Sequence, residues 1–404
     1  MIDFKQAQQH LNGLTAQAFL NQYWQKKPLL IRNAFPEFQN PEFNPLTPDE
    51  LAGLATEKDI ASRLLLGSHP ENDWKVEHGP FSEEHFAKLP ESNWSLLVSD
   101  VEKHLPDFLQ FTDYFRFVPD WRVDDLMVSY APQGGSVGKH TDEYDVFLLQ
   151  THGQRRWQIE ETRSTSPYIA DLEIKVLEKF EPTQDWVLNP GDMLYLPPGI
   201  GHYGVAENDC MTWSFGFRAP SWQFLLQDFS DTIAEKMTEE QRYSDPRQSL
   251  QANPAEISAD SLKTVRQKLS SLLQMDNNRF ADWLGSAVSQ QACEFPIQEQ
   301  ETLDADSLSE QLHSGRVLML NPYVRLCFVR AELTSGPGYQ VYINGDCAEL
   351  TSPLVEIFSK QRRIALDGQA NLTTETDLLL WLCDNYTKGY WLWEDELLCD
   401  EGED

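Results

Sequence analysis

The sequence predicts an α+β chain in three parts: a β-rich sandwich or barrel domain over residues 1–221, a helical region over 222–295, and a mixed α+β unit over 296–404. Two observations carry this division. Between about 122 and 218, short apolar or alternating runs (Leu126–Ala131, Val146–Thr151, Arg155–Ile159, Asp185–Leu188, Met193–Leu196, Met211–Arg218) are separated by turn chemistry such as Pro132-Gln133-Gly134-Gly135 and Asn189-Pro190-Gly191-Asp192. No helical period lies between these runs, which excludes a doubly wound sheet. After Pro220 the period changes. Leu225, Phe229, Ile233 and Met237 recur every four residues, and Leu262, Val265, Leu269 and Leu272 every three or four, as on amphipathic helices.

Taken in order, residues 15–26 read as a helix stopped by Lys27-Pro28, because proline disfavours continuation. Leu29-Leu30-Ile31 follows as a buried strand. Thr47-Pro48-Asp49-Glu50 reads as an N-cap, a proline in the first turn and acids at the positive end of the helix dipole. Beyond the β-rich stretch, Pro246–Pro254 is a loop, Asn278–Gln290 a further helix, and Glu294-Phe295-Pro296 the end of the helical region. Its apolar stripes exceed what an adjacent barrel must cover, so 222–295 is expected to form a homodimer interface. In the last part, Arg316–Leu320, Val324–Arg330 and Gln340–Ile343 read as strands, Asn344-Gly345 as a two-residue hairpin turn, and 353–360 and 374–384 as helices. A winged helix fits that pattern. Trp393–Asp404 carries seven acids in twelve residues and reads as a frayed, solvated tail.

Charge bounds the partners. The 64 acids against 32 Lys and Arg leave a net charge of −32, which repels phosphate backbones and attracts cations. Direct DNA binding is therefore not expected, even from a winged helix. There is no apolar run of about 18 residues, which excludes a transmembrane helix. The polar N-terminus lacks a signal-peptide core, so a cytoplasmic protein is expected. The six cysteines form no CxxC pair and fit free thiols in a reducing compartment.

Two of the nine histidines stand in unusual company. His140-Thr141-Asp142 precedes the segment Tyr144–Leu149, and on a strand residues two apart share a face. His202 closes the run Gly191-Asp192-Met193-Leu194-Tyr195-Leu196-Pro197-Pro198-Gly199-Ile200-Gly201-His202, a strand followed by a rigid proline corner. Two imidazoles and one carboxylate form the facial triad that holds Fe(II) with three positions open. The other histidines lack partners at ligand spacing, although His78 in His78-Gly79-Pro80-Phe81 is placed to line a site. Arg155 and Arg156 point to opposite faces of their strand. Either one guanidinium faces the interior, where it wants a carboxylate such as a dicarboxylate cosubstrate supplies, or both are exposed. Thr212, Ser214 and Gly216 alternate with Met211, Trp213, Phe215 and Phe217, so one face of that strand leaves room beside a metal. Gly134-Gly135-Ser136-Val137-Gly138 matches a nucleophile elbow in letters only, because no helix follows it.

These motifs resemble the JmjC branch of the cupin superfamily, and more closely the bacterial ribosomal oxygenases. Tyr23-Trp24-Gln25-Lys26-Lys27-Pro28-Leu29, Trp121-Arg122-Val123-Asp124-Asp125-Leu126-Met127, Tyr144-Asp145-Val146-Phe147 and Gly216-Phe217-Arg218-Ala219-Pro220 carry the closer resemblance. It implies a double-stranded β-helix (jelly-roll) domain, a helical dimerisation region and a C-terminal winged helix. It further implies Fe(II)- and 2-oxoglutarate-dependent hydroxylation, at carbon three, of an arginine in the sixteenth protein of the large ribosomal subunit. By that resemblance His140, Asp142 and His202 are the catalytic iron ligands. By the same resemblance Arg155 binds the distal carboxylate of 2-oxoglutarate; Ser214, on the small-residue face of its strand, is the second candidate for cosubstrate contact. Asp124, Asp125 and Glu143 are candidates for holding the cationic side chain. The rival readings are a JmjC histidyl hydroxylase, a lysyl demethylase, or a non-catalytic cupin that only binds.

Overall fold

The computed structural model describes residues 8–67, 74–246, 248–290, 297–330, 338–365 and 376–397. The chain divides into two compact units, Met1–Ala219 with Asp395–Asp404, and Pro220–Glu394.

Alternation along the strands layers the first unit. Its strands are β1 (Leu29–Ile31), β2 (Ser62–Leu66), β3 (Lys75–His78), β4 (Trp94–Val98), β5 (Val123–Ala131), β6 (Asp145–His152), β7 (Arg155–Arg163), β8 (Gln184–Leu188), β9 (Met193–Leu196), β10 (Ile200–Ala206) and β11 (Cys210–Phe217). An eight-stranded sheet runs β1-β9-β6-β11-β5-β4-β2-β3, and a three-stranded sheet runs β10-β7-β8. Successive side chains of a strand point to opposite faces, so each strand of the large sheet serves two environments. On β11, Met211, Trp213, Phe215 and Phe217 enter the main core, while Thr212, Ser214 and Gly216 line a cavity. On the neighbouring β6, Phe147 and Leu149 join the main core, whereas Val146 and Leu148 pack with Trp157 and Ile159 of the small sheet. The register Trp213↔Leu149 and Ser214↔Leu148 keeps those faces aligned.

The outer face is covered by α1 (Ala16–Gln22), α2 (Pro48–Leu54), α3 (Glu83–Phe86), α4 (Val101–His104) and α5 (Leu109–Asp113), which bury Phe19, Leu51, Val101 and Phe111 against it. The N-cap expected at Thr47 is present and closes into a capping box: Glu50 N–H donates to Thr47 Oγ1 at 3.3 Å and Thr47 N–H to Glu50 Oε2 at 2.7 Å. α1 is shorter than its sequence suggests. The helix ends at Gln22, and Gln25 adopts φ +56°. That left-handed turn lets the Gln25 side chain donate to the buried Asp145 at 2.9 Å and its N–H to Tyr195 Oη at 2.8 Å. Tertiary hydrogen bonds override local helix propensity there.

In the second unit, α6 (Trp222–Glu235), α7 (Ala259–Leu272) and α8 (Asn277–Ser289) are N-capped by Ser221, Ser258 and Asp276. Phe229 of α6 packs on Trp283 of α8 with ring centroids 4.7 Å apart, and Trp283 Nε1 donates to Asp228 at 2.6 Å. α9 (Ala305–His313), α10 (Leu354–Gln361) and α11 (Thr376–Thr387) pack with β12 (Leu318–Leu320), β13 (Leu326–Arg330), β14 (Tyr339–Ile343), β15 (Asp346–Leu350), β16 (Arg363–Ile364) and β17 (Trp391–Trp393) around a second core. Two three-stranded sheets result, β16-β12-β17 and β13-β14-β15. Asn344 and Gly345, at φ +47° and +91°, make the hairpin turn between β14 and β15.

The tail reading needs correction. Trp393 is 1% exposed and pairs with Leu318, and α12 (Glu394–Leu397) continues the chain. Local charge density masked a tryptophan that long-range packing buries. Cys210, Cys327, Cys347 and Cys383 are free thiols. His69, Cys293, Cys399, the segment Glu294-Phe295-Pro296 and residues 398–404 lie outside the described residues.

Candidate active site

The His140–Asp142 segment is not on a strand, contrary to the sequence reading. It is an extended entry into β6 in which His140 makes a single antiparallel bridge with His202 of β10. His140 N–H donates to the His202 carbonyl at 3.0 Å and His202 N–H to the His140 carbonyl at 2.9 Å. Gly199 N–H donates to the Asp142 carbonyl at 2.7 Å. The shared projection of the three side chains therefore comes from long-range backbone pairing rather than from strand period.

The ring nitrogens are assigned by what surrounds them. His140 Nδ1 lies 3.0 Å from the Gly138 carbonyl and His202 Nδ1 2.9 Å from the Ile200 carbonyl. A carbonyl oxygen only accepts, so each Nδ1 is the donor and leaves Nε2 as the atom that can face a metal. Those nitrogens lie 3.8 Å and 3.5 Å from the Asp142 carboxylate, and the three ligand atoms all fall within 4.8 Å of one another. Burial pushes the His202 imidazole down to about 4, and the neighbouring His140 adds to the shift. The neutral form is the one that binds a metal. Two imidazoles and one carboxylate with open space on one side suit Fe(II).

That space is a cavity of about 610 Å³ between the sheets. Arg155 faces it and is 3% exposed, whereas Arg156 points outward to Glu207 at 2.6 Å and Asp185 at 2.8 Å. Nε and Nη2 of Arg155 are buried with no hydrogen-bond partner among the described residues. A buried guanidinium without a carboxylate is strongly unfavourable, so a carboxylate ligand fits here. Ser214 lies on the same cavity wall, between Thr212 and Gly216. A Cβ at Gly216 would come within 2.9 Å of Asp125 Oδ1, so a larger residue there would displace that carboxyl.

Asp124, Asp125 and Glu143 all border the cavity. Glu143 is exposed and pairs with Arg163 at 3.4 Å, while Asp124 lies 3.9 Å from Arg218. Asp125 differs: burial, then Glu102 and Asp124, hold its carboxyl well above the usual carboxylate range. His78 does not line the cavity. It pairs at 3.0 Å with Glu173, which does. Arg63, Tyr144, Trp157, Glu173 and Lys175 were not anticipated as lining residues. Glu173 and Lys175 sit in a loop held over the triad by Tyr168 Oη to Thr141 Oγ1 at 2.6 Å and by Leu177 N–H to the Lys139 carbonyl at 2.7 Å. No motif announces that loop, but the inward alternation Arg155, Trp157, Ile159 does point to Trp157.

Known proteins match this arrangement. A JmjC-domain model matches residues 110–225 and a ROXA-like winged-helix model residues 272–392. Ribosomal protein uL16 3-hydroxylase of Escherichia coli (strain K12) is 33% identical over 378 residues, covering 93% of this chain and 97% of its own length. The chain belongs to the ribosomal oxygenase family. Among solved structures, Escherichia coli YcfD in complex with cobalt and 2-oxoglutarate superposes on this ribosomal oxygenase with a TM-score of 0.80 at 33% identity, covering 94% of this chain and 98% of that one. YcfD in complex with cobalt and succinic acid superposes at 0.79 over the same shares.

The triad geometry leads to a direct expectation. Titration with Fe(II), or with Co(II) followed by absorption spectroscopy, is expected to show one strongly bound ion per chain. His202→Ala is expected to lose that site, and an unchanged stoichiometry in the variant refutes the assignment.

Proposed function

We propose that this ribosomal oxygenase hydroxylates carbon three of an arginine in a basic large-subunit ribosomal protein, using Fe(II) and 2-oxoglutarate. The observation that carries the reading is the pairing of a pre-oriented His140–Asp142–His202 triad with the unpartnered buried guanidinium of Arg155 in one cavity. Residues 1–221 are the catalytic domain, 222–295 the dimerisation region and 296–404 the winged-helix domain.

His140 Nε2, His202 Nε2 and one Asp142 carboxylate oxygen hold the iron. Arg155 receives the distal carboxylate of 2-oxoglutarate, and Ser214 contributes a hydroxyl to the same wall. Iron and 2-oxoglutarate, when bound, supply the oxidation: dioxygen delivers one atom to succinate as carbon dioxide leaves, and one atom to a C–H bond of the substrate. The chain's own residues position the reactants and keep water out. Trp157, Val146 and Leu148 form an apolar side to the cavity, and the loop carrying Glu173 narrows its mouth. Asp125 and Asp124, both on the cavity wall, are the candidates to hold the substrate guanidinium. A net charge of −32 supports capture of a cationic protein, with an on-rate that falls as salt rises.

The helical region supports a homodimer. Trp222 and Leu226 of α6 are 86% and 59% exposed, and Leu262, Val265 and Leu269 form one exposed stripe along α7, which buries none of its residues. A partner copy covers such a face in the usual way. Among the described residues no helix is long and apolar enough to cross a membrane. The strong negative charge disfavours a DNA-binding role for the winged helix.

Three outcomes are expected. Arg155→Ala is expected to weaken 2-oxoglutarate binding by ~2 kcal/mol or more, about 30-fold in its apparent KM; an unchanged KM removes the assignment. A peptide carrying the target arginine is expected to gain one oxygen, about 16 Da. Fragment spectra placing that oxygen on histidine, or loss of a methyl group from lysine, favour the rival JmjC activities. Sedimentation at micromolar concentration is expected to give a dimer, and a monomer there rules out the helical interface.

A further inference from the structure

Between β7 and β8 the chain makes an insert, residues 164–183, whose turn reaches the cavity. Its two arms pair with each other. Tyr168 bridges Leu177, Ile169 N–H donates to the Val176 carbonyl at 2.8 Å, and Glu178 N–H donates to the Pro167 carbonyl at 2.8 Å. A narrow ribbon results. Its turn contributes Glu173, Ile174 and Lys175 to the cavity lining.

The base of the ribbon is fixed to the segment that carries two of the metal ligands. On the second arm, Leu177 N–H donates to the Lys139 carbonyl at 2.7 Å, and Val176 and Leu177 are each 1% exposed. Val176 lies so close to Gly138 that a Cβ there would stand 3.1 Å from Val176 Cγ2. The first arm starts from Ser164, whose N–H donates to the Gly199 carbonyl at 2.8 Å. Beyond it, Tyr168 Oη and Thr141 Oγ1 share a hydrogen bond of 2.6 Å. Thr141 stands between His140 and Asp142, so this bond reaches the residue flanked by both ligands. Backbone bonds and buried side chains already attach the second arm. The Tyr168 bond is exposed, where water competes for both hydroxyls, so it adds little to the stability of the fold. Its place beside the ligands is what needs explaining.

We propose that Tyr168 is a positioning residue for the hydroxylation. Through Thr141 it latches the first arm of the ribbon, so that Glu173, Ile174 and Lys175 form a fixed wall against which the substrate seats beside the metal site. The turn is steadied from β3 as well, where His78 Nε2 lies 3.0 Å from Glu173. A fixed wall restricts a long side chain to poses that bring its reacting carbon to the metal, and it limits water entry once substrate is seated. Loosening the wall separates consumption of 2-oxoglutarate from hydroxylation. The metal and cosubstrate sites, made by other residues, are left intact.

Tyr168→Phe tests this, because it removes one hydroxyl and keeps the ring. Wild-type enzyme is expected to form about one succinate per arginine peptide hydroxylated, the stoichiometry of this cofactor class. Tyr168→Phe and Thr141→Val are each expected to raise that ratio, and the peptide KM, by about threefold or more, within the span of one lost hydrogen bond. The double variant is expected to be no worse than either single one, since both remove the same bond. Thr141→Ser keeps the hydroxyl and is expected to restore the wild-type ratio. Metal stoichiometry and 2-oxoglutarate affinity are expected to be the same in Tyr168→Phe as in wild type. A wild-type ratio in Tyr168→Phe, additive damage in the double variant, or loss of the metal each overturns the positioning role. These readouts rest on the reading of an arginine substrate; hydrogen exchange of the metal-loaded enzyme without peptide does not. There the Ile169 and Glu178 amides are expected to exchange about threefold faster in Tyr168→Phe, and unchanged exchange overturns the latch whatever the substrate is. A peptide that no form of the enzyme oxidises overturns the arginine reading, and the exchange result then decides the latch by itself.

Discussion

Two backbone hydrogen bonds between His140 and His202 are the constraint on which the site depends. The residues lie 62 positions apart, one before β6 of the large sheet and the other on β10 of the small one. Joining them closes the end of the sandwich and brings two imidazoles to a centroid distance of 4.1 Å. The carbonyls of Gly138 and Ile200 then choose the tautomer of each ring. Metal-site preorganisation is thus built from backbone, which no single side-chain substitution removes, and the ligands need little reorganisation before binding.

A second constraint lies beneath it. Asp145, three residues beyond Asp142, is fully buried and accepts hydrogen bonds from Tyr195 Oη at 2.6 Å and Gln25 Nε2 at 2.9 Å, with Arg122 at 3.5 Å. Burial pushes its carboxyl up, while Tyr195, Gln25 and Arg122 work against that shift. Arg122 also bonds the Arg218 carbonyl, and Arg218 N–H returns a bond of 2.5 Å to the Arg122 carbonyl. The four sequence segments that carry the family resemblance therefore meet in one polar network. Breaking one partner of such a network strands a buried charge, which explains in energetic terms why these segments belong together.

Around this rigid centre lies a charged cavity lining. Arg155 is 3% exposed, and its Nε and Nη2 have no hydrogen-bond partner among the described residues, so its guanidinium stays available to a ligand. Asp124, Asp125, Glu143 and Glu173 line the same cavity together with the basic Arg63 and Lys175.

Much of this was legible in the sequence because it depends on local period or local chemistry. Alternation on β11 predicted which side chains line the cavity, the Thr47–Glu50 cap marked a helix start, and Asn344-Gly345 marked a hairpin. The residue types at 140, 142 and 202 indicated a metal site before any geometry was known. What stayed hidden depends on partners far along the chain. Gln25 abandons its helix for Asp145, 120 residues away, and Trp393 is buried by pairing with Leu318 despite its acidic surroundings. The HxD segment is held by a bridge to His202 rather than by strand geometry, and Glu102 meets the Leu126 N–H only because α4 packs on β5. The sequence by itself determined the chemistry of the groups and the faces they occupy, since both follow from residue identity and backbone period. Tertiary structure alone decided which groups meet and which are left without a partner, because burial and long-range hydrogen bonding are properties of the assembled chain.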